Sequence, residues 1–360
     1  MKPIEIDGRT GEGGGQVVRV AICLAALSTQ PVVITNVRGN RGGPKGGGSA
    51  STLLILQAIL PFMVLAGNDK GDPIEVEVSG GTNVSWSPSY EYLDQVLLPV
   101  LEERFALQVE RRLIRRGWSL GPQSRGSIWL KVYPLAPGQA LQFKAAAPLA
   151  TPDVCQVSSV DVTMVVPNTF HEELQNALVK DLDVLFPGAD VNLKLVEDSR
   201  LETRWYILLV AHSKDGRRWG KDYLGSMPKK HKMRGPFTPQ ISDKLCRGLF
   251  EEVNHGGDVD EHLQDQLICF QALCSGYSSF PRGDSPDDSS RRVIIDALGN
   301  LDIGDSKMRK EKNHEPFGHG SLHTQTARWV VSELLPAVEF YNKGDLVKGA
   351  GTIIKAQDGL

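Results

Sequence analysis

Ile4-Glu5-Ile6-Asp7-Gly8-Arg9-Thr10-Gly11-Glu12-Gly13-Gly14-Gly15-Gln16-Val17-Val18-Arg19 is the stretch that decides the fold class. Ile4–Asp7 alternates like a short strand, a glycine-rich turn follows, and Gln16–Leu27 reads as a helix. Strand, turn and helix open a βα unit. Glycine lets the backbone approach a ligand closely and aim several N–H groups at it. The helix N-terminus adds a partial positive charge that suits an anion. Glu12 inside that turn points to a metal ion or a cationic partner, and Arg19 stands one helical turn further in. Two readings stay open here: a cradle for nucleotide phosphates, and a plain tight turn. The Walker pattern G-x-x-x-x-G-K-[ST] is met neither by Gly11–Gln16 nor by Gly39–Ser49. Gln16 takes the place of the third glycine in the dinucleotide fingerprint, so P-loop ATPases and NAD enzymes are both disfavoured.

The same alternation runs outward along the chain. Pro31–Val37 reads as a strand, Ser51–Ala66 as a strongly apolar helix, Ile74–Ser79 as a strand and Tyr90–Phe105 as an amphipathic helix. Leu107–Leu113 and Ile128–Tyr133 read as paired strands, and Val154–Val166 is β-branched and alternating. Thr169–Leu185 is helical, with strands at Val191–Val196 and Arg204–His212. Helices over Pro239–Val253 and Val259–Cys274 are split by Asn254-His255-Gly256-Gly257, a C-cap and turn. Tyr277–Arg291 reads as a loop, Arg291–Ala297 as a strand, Gly304–Gly320 as a polar loop, His323–Leu335 as the last helix and Gly351–Ala356 as a closing strand. This order predicts an α/β (α+β) fold in which one supersecondary unit is used more than once. The block 168–229 reads as a small inserted α/β domain in a core of 1–167 and 230–360.

Composition bounds the function. At 360 residues and 41% hydrophobic, the chain can bury a full core and suggests two domains. A net charge of -3 implies no whole-molecule attraction to nucleic acid, so an RNA or nucleotide site has to be a local basic patch. The five cysteines are scattered without a C-x-x-C pair, which argues for reduced, mostly buried thiols in an intracellular protein. No signal sequence opens the chain, and no apolar run approaches the roughly 20 residues that span a bilayer. The loop Pro228-Lys229-Lys230-His231-Lys232-Met233-Arg234 reads as a solvated linker, an RNA contact or a nuclear-import signal.

Four clusters carry chemistry besides the opening turn. Gly318-His319-Gly320-Ser321-Leu322-His323-Thr324-Gln325-Thr326-Ala327 sets His323 at a helix start, where the positive helix end favours the neutral, nucleophilic ring over the imidazolium. His323 as a structural histidine is the bland alternative. His314, His319 and His323 also suggest a metal site, against which Gly318 and Gly320 argue by breaking a regular helix. Val259-Asp260-Glu261-His262-Leu263-Gln264-Asp265-Gln266-Leu267 puts acids, an imidazole and an amide on a helix beside Leu263, Leu267 and Phe270. Val37-Arg38-Gly39-Asn40-Arg41-Gly42-Gly43-Pro44-Lys45 offers arginine forks for phosphates at a strand end. Gly80-Gly81-Thr82-Asn83 through Ser87-Pro88 reads as a turn with free amides.

Together these segments resemble the RNA 3′-terminal phosphate cyclase family. The Gly-Glu-Gly-Gly-Gly-Gln-Val-Val-Arg opening, Gly-Gly-Thr-Asn, Val-Asp-Glu-His-Leu-Gln-Asp-Gln-Leu and Leu-His-Thr-Gln-Thr-Ala match family motifs in family order, from about residue 4 to 335. The resemblance implies a large domain of repeated βα units with a small inserted domain. It implies conversion of an RNA 3′-phosphate to a 2′,3′-cyclic phosphate with ATP and a divalent metal, Mg2+ or Mn2+, and RNA 3′ ends as partners. His323 would be the nucleophile that takes AMP. Glu12, Arg19, Arg38, Arg41, Gln57, Pro88, His262, Asp265 and Gln266 would line the nucleotide site, with Glu12 holding the metal. With the basic loop, the family also points to the nucleus. A second reading is a non-catalytic relative that binds RNA or pre-ribosomes during ribosomal RNA processing, from which a nucleophilic histidine is expected to be missing.

The chain departs from the family pattern in places. After Lys45 it runs directly into Gly46-Gly47-Gly48-Ser49, where the family has a helix and a strand pair. Losing that helix should expose apolar surface on its neighbours at a cost of several kcal/mol. His262 replaces a usual tyrosine, and Ser119–Ser124 replaces a glycine-rich loop.

Overall fold

The computed structural model describes residues 2–37, 39, 51–118, 124–145, 157–227, 237–282 and 315–354. Strand β1 (Ile4–Asp7) and strand β2 (Val32–Thr35) lie parallel with Ile4 opposite Val32. A parallel pair needs a crossover, and helix α1 (Gly15–Ser28) supplies it. Val17, Val20, Ala21 and Leu24 recur at helical spacing on α1 and are its buried stripe. Helix α2 (Thr52–Leu65) begins at Ser51, whose hydroxyl accepts from the Leu53 and Leu54 amides. Strand β3 (Ile74–Gly80) leads into helix α3 (Tyr90–Tyr92), a π-turn over Leu93–Leu97 and helix α4 (Leu98–Phe105). Strands β4 (Gln108–Arg115) and β5 (Gly126–Tyr133) complete an antiparallel sheet in the order β3-β5-β4.

A second layer follows. Strand β6 (Val157–Val166), helix α5 (His171–Leu185), strands β7 (Asp190–Asp198), β8 (Trp205–Ser213) and β9 (Arg218–Gly225), and helix α6 (Phe237–Asn254) pack around one core. The sheet order is β7-β6-β8-β9, with β6 and β7 parallel and the other pairs antiparallel. This unit takes in β6, which precedes residue 168, and α6, which follows residue 229.

Helix α7 (Glu261–Leu273) is the spine of the rest. Leu263, Leu267 and Phe270 enter the core shared with α2, α4 and β3 to β5. Ile268, Cys269, Ala272 and Leu273 enter a second core with α1 and helix α8 (Leu322–Leu334). Each buried leucine, isoleucine or phenylalanine contributes about 1.5–3 kcal/mol. α7 therefore cannot shift without disturbing both cores, and its polar residues Gln264, Asp265 and Gln271 are buried with it. Strands β10 (Ser275–Ser279), β11 (Glu339–Tyr341) and β12 (Leu346–Ala350) form an antiparallel sheet in the order β10-β12-β11.

The mixed α/β fold is as expected, and the differences lie in strands. β9 was not anticipated: Asp222 and Lys221 interrupt its alternation, yet it pairs along β8. The start of the Tyr277–Arg291 loop belongs to β10, a polar strand held by pairing with β12. Gly351–Ala356 does not close a sheet over its described part, Gly351–Ile354; β12 does so instead. Gly349 in β12 is required there, since a Cβ would overlap the Cys274 and Gln271 carbonyls. The strand expected at Arg291–Ala297 and the basic loop at 228–234 lie outside the described residues. Cys23, Cys246, Cys269 and Cys274 are buried free thiols, and burial pushes Cys23 and Cys246 up to about 12. Among the described residues no helix is long and apolar enough to cross a membrane.

Candidate active site

The glycine turn before α1 lies against α8. Gly11 has φ +69°, and a Cβ there would overlap the Thr326 hydroxyl, so only glycine fits on both counts. The contact is anchored by Glu12, whose N–H donates to Thr326 Oγ1 at 3.2 Å. Glu12 is itself pulled inward: its Oε1 accepts from the Gln16 N–H at 2.9 Å, in the first turn of α1. The other carboxylate oxygen, Oε2, lies 3.1 Å from His323 Nδ1. The Glu12 side chain is 4% exposed and that of His323 48%.

His323 is the second residue of α8, at the helix start that the sequence predicts but one residue inside it. Ser321 caps this helix by accepting from the Thr324 N–H at 3.2 Å. The preceding Gly318 and Gly320 both have positive φ; a Cβ on Gly318 would overlap the Lys343 carbonyl and one on Gly320 the Gln264 side chain. His319 N–H donates to that Lys343 carbonyl at 2.8 Å, and the buried Arg328 guanidinium donates to the His319 carbonyl. The turn ahead of His323 is thereby held from three sides. A carboxylate beside Nδ1 favours the tautomer with the proton facing Glu12, which puts the ring's lone pair on Nε2.

Gln16 ties the remaining residues together. Its Oε1 accepts from Arg19 Nη2 at 3.1 Å and from Gln57 Nε2 at 3.2 Å. Its Nε2 donates to Asp265 Oδ2 at 3.1 Å. Arg19 Nε donates to Gln57 Oε1 at 2.6 Å, closing the ring. Gly15 makes room for the Arg19 guanidinium, which folds back over the first turn of α1. Burial pushes the Asp265 carboxyl up to about 6, opposed by His323, His262 and Arg19. Gln266 Nε2 donates to both Asp265 oxygens, at 3.3 and 3.2 Å. A small cleft is bordered by Gln57, Pro88, Asp265 and Gln266 with apolar walls from Leu53 and Phe270.

Glu12, Arg19, Gln57, Pro88, Asp265, Gln266 and His323 are therefore gathered in one region from the glycine turn, α1, α2, α7, α8 and the β3–α3 loop. His262 stands at its edge on the first turn of α7, exposed, with its ring edge-on to Tyr92 at 6.5 Å. Arg38, Arg41 and His314 lie outside the described residues. Sequence reasoning missed Gln16, although it stands three residues before Arg19 on the same face of α1 and directly follows the turn that carries Glu12. The amides expected to stand free in the Gly80–Pro88 turn do not: Thr82 and Asn83 both donate to the Gly117 carbonyl at 2.9 Å. Gly80–Val84 is a buried joint between strand ends, and a buried N–H needs a partner.

The family model for RNA 3′-terminal phosphate cyclase matches residues 10–47 and 42–339. The chain belongs to the RNA 3′-terminal phosphate cyclase family. The two matched stretches meet at residues 42–47, where the sequence runs into Gly46-Gly47-Gly48-Ser49. The chain is similar to the RNA 3′-terminal phosphate cyclase of Pyrococcus furiosus, 28% identical over 318 residues that cover 76% of this chain and 86% of the relative. It is similar to that of Pyrococcus abyssi, 29% identical over 318 residues with the same two shares, 76% and 86%. The cyclase of Methanopyrus kandleri is 28% identical over 332 residues, 78% of this chain and 88% of that one.

Proposed function

We propose that this chain converts an RNA 3′-terminal phosphate to a 2′,3′-cyclic phosphate at the expense of ATP, through AMP held covalently on His323. The observation that carries the reading is the Nδ1 contact between His323 and buried Glu12, at the N-terminus of α8. His323 Nε2 attacks the α-phosphorus of ATP; an N–P bond forms and pyrophosphate leaves. Oxygen of the RNA 3′-phosphate then attacks that phosphorus and breaks the N–P bond. The ribose 2′-hydroxyl attacks the activated 3′-phosphorus, giving up its proton, and AMP departs as the ring closes. The chain's work is positioning and charge neutralisation. Arg19 lies over the glycine turn where phosphates would sit, and Arg38 and Arg41 are assigned the same task by family resemblance. Gln57, Pro88, Asp265 and Gln266 would hold the nucleoside, with His262 at the cleft edge.

Mg2+ or Mn2+ fits this donor set. Among the described residues no three His, Cys, Asp or Glu side chains gather as a cage. Glu12 supplies the hard carboxylate oxygens that such ions prefer. Hard cations commonly take one or two carboxylates plus substrate phosphates. When bound, the ion would neutralise phosphate charge.

The test is incubation of the purified chain with ATP labelled at the α-phosphate plus Mg2+ or Mn2+, beside His323→Ala. Acid-labile label on the parent and none on the variant is the expected result. No label on a folded parent would refute the enzyme reading and favour a non-catalytic, RNA-binding relative.

A further inference from the structure

Trp86 is 93% exposed, the most open large apolar side chain among the described residues. Its φ is +66°, the left-handed region that a bulky aromatic residue adopts only when its surroundings hold it there. Those surroundings are rigid. On one side Val84 is buried, and Asn83 donates from Nδ2 to Glu91 Oε2 at 2.8 Å. On the other, the Ser87 hydroxyl bonds the Ser51 hydroxyl at the cap of α2, and Ser89 caps α3 while meeting the Tyr206 hydroxyl at 2.5 Å. The loop is pinned at both ends and presents its indole to water. Two residues on, Pro88 borders the cleft with Gln57, Asp265 and Gln266, whereas Trp86 is not part of the cleft wall. Exposed Arg115 and Arg125 sit at the ends of β4 and β5, beside Gly117, whose carbonyl anchors this loop. A flat, neutral π-face held open to water on a loop whose anchoring strands end in exposed arginines is a pattern that suits single-stranded nucleic acid, by stacking and backbone attraction.

We propose that Trp86 is a stacking platform for a base at the 3′ end of single-stranded RNA, outside the cleft that takes the nucleotide. The proposal rests on the cyclase reading for its substrate and deepens it: the platform would fix the terminal nucleotide while its phosphate faces His323. Adenine of ATP has the same stacking chemistry, so the test separates the two sources. A fluorescently labelled oligoribonucleotide ending in a 3′-phosphate is titrated by anisotropy against the parent, Trp86→Phe and Trp86→Ala, with no ATP present. The KM for ATP in self-adenylation is measured on the same proteins. The expected result is a Kd about tenfold higher for Trp86→Ala, with a smaller rise for Trp86→Phe. The difference should vanish with an oligonucleotide whose terminal residue is abasic, and the ATP KM should stay at the parent's value. An unchanged RNA Kd, an equal loss with the abasic oligonucleotide, or a shift in ATP KM instead of RNA Kd would each overturn the assignment. A parent that takes no label from ATP, yet binds RNA in a Trp86- and base-dependent way, would fail the cyclase reading and leave this platform standing.

Discussion

Asp260→Ala should loosen the candidate site from a distance. Asp260 is 1% exposed and caps α7, where its Oδ1 accepts from the His262 and Leu263 amides at 3.0 and 2.9 Å and from the Tyr92 hydroxyl at 2.6 Å. Its Oδ2 accepts from the Gly220 N–H on β9 at 2.8 Å. One carboxylate thus clamps the start of α7 to α3 and to the second layer. Removing it strands two buried donors, Tyr92 and Gly220, at about 1–3 kcal/mol each. The lost cap costs about 1 kcal/mol more. Burial pushes the Asp260 carboxyl up from its ordinary range, so the substitution also relieves some desolvation. The net loss should be about 4 kcal/mol. At ~2.1 cal/mol/K of unfolding entropy per residue, that lowers Tm by about 5 °C for a chain of this length. Asp260→Asn keeps Oδ1 and with it the cap, and should lose about half as much. Because α7 carries Asp265 and Gln266, the KM for ATP in self-adenylation should rise in Asp260→Ala. Thermal melts by circular dichroism, paired with the labelling assay, read both effects. A Tm within 1 °C of the parent and an unchanged KM would refute the clamp.

Substitutions at three further positions test the site. Glu12→Ala should slow labelling of His323 on the order of 100-fold, and Glu12→Gln, which keeps an acceptor for Nδ1–H, by less; equal rates in both and in the parent would remove Glu12 from the chemistry. Asp265 has a folded pKa raised to about 6 from its ordinary 3.8, so between about pH 4 and 6 the folded state binds its proton more tightly than the unfolded state does. Its contribution to stability therefore falls as pH rises through that window, by on the order of 3 kcal/mol. Asp265→Asn should flatten that part of the Tm–pH curve, and parallel curves would contradict the assignment. Gly11→Ala, with a positive φ and Thr326 in its way, should cost about 2–3 kcal/mol in urea unfolding; a neutral result would mean that the loop and α8 do not touch.

Much of the architecture was legible because it rests on local signals. The strand–glycine–helix opening, the apolar run of α2 and the helices α7 and α8 all announce themselves through glycine placement and periodicity. β9 and β10 do not, because their order comes from partners far along the chain. β10 is Ser275-Gly276-Tyr277-Ser278-Ser279, with no apolar alternation, and owes its place to β12. The site divides the same way. His323, Glu12 and Arg19 carry visible chemistry, whereas Gln16 looks like an ordinary helix residue until Asp265, Gln57 and Arg19 converge on it. The Thr82 and Asn83 amides misled for the converse reason: the acceptor that occupies them, Gly117, lies more than thirty residues later on another strand's end.

The pairing of Glu12 with Thr326 spans 314 residues, and that of Gln16 with Asp265 spans 249. A ribosome adding about 5–20 residues per second separates the emergence of these partners by about 12–60 s. Throughout that interval a nascent chain displays its glycine turn without the Glu12–His323 contact or the closed polar ring around Gln16. Both wait on α7 and α8 docking against α1, so the candidate site is the last part of the molecule to be assembled.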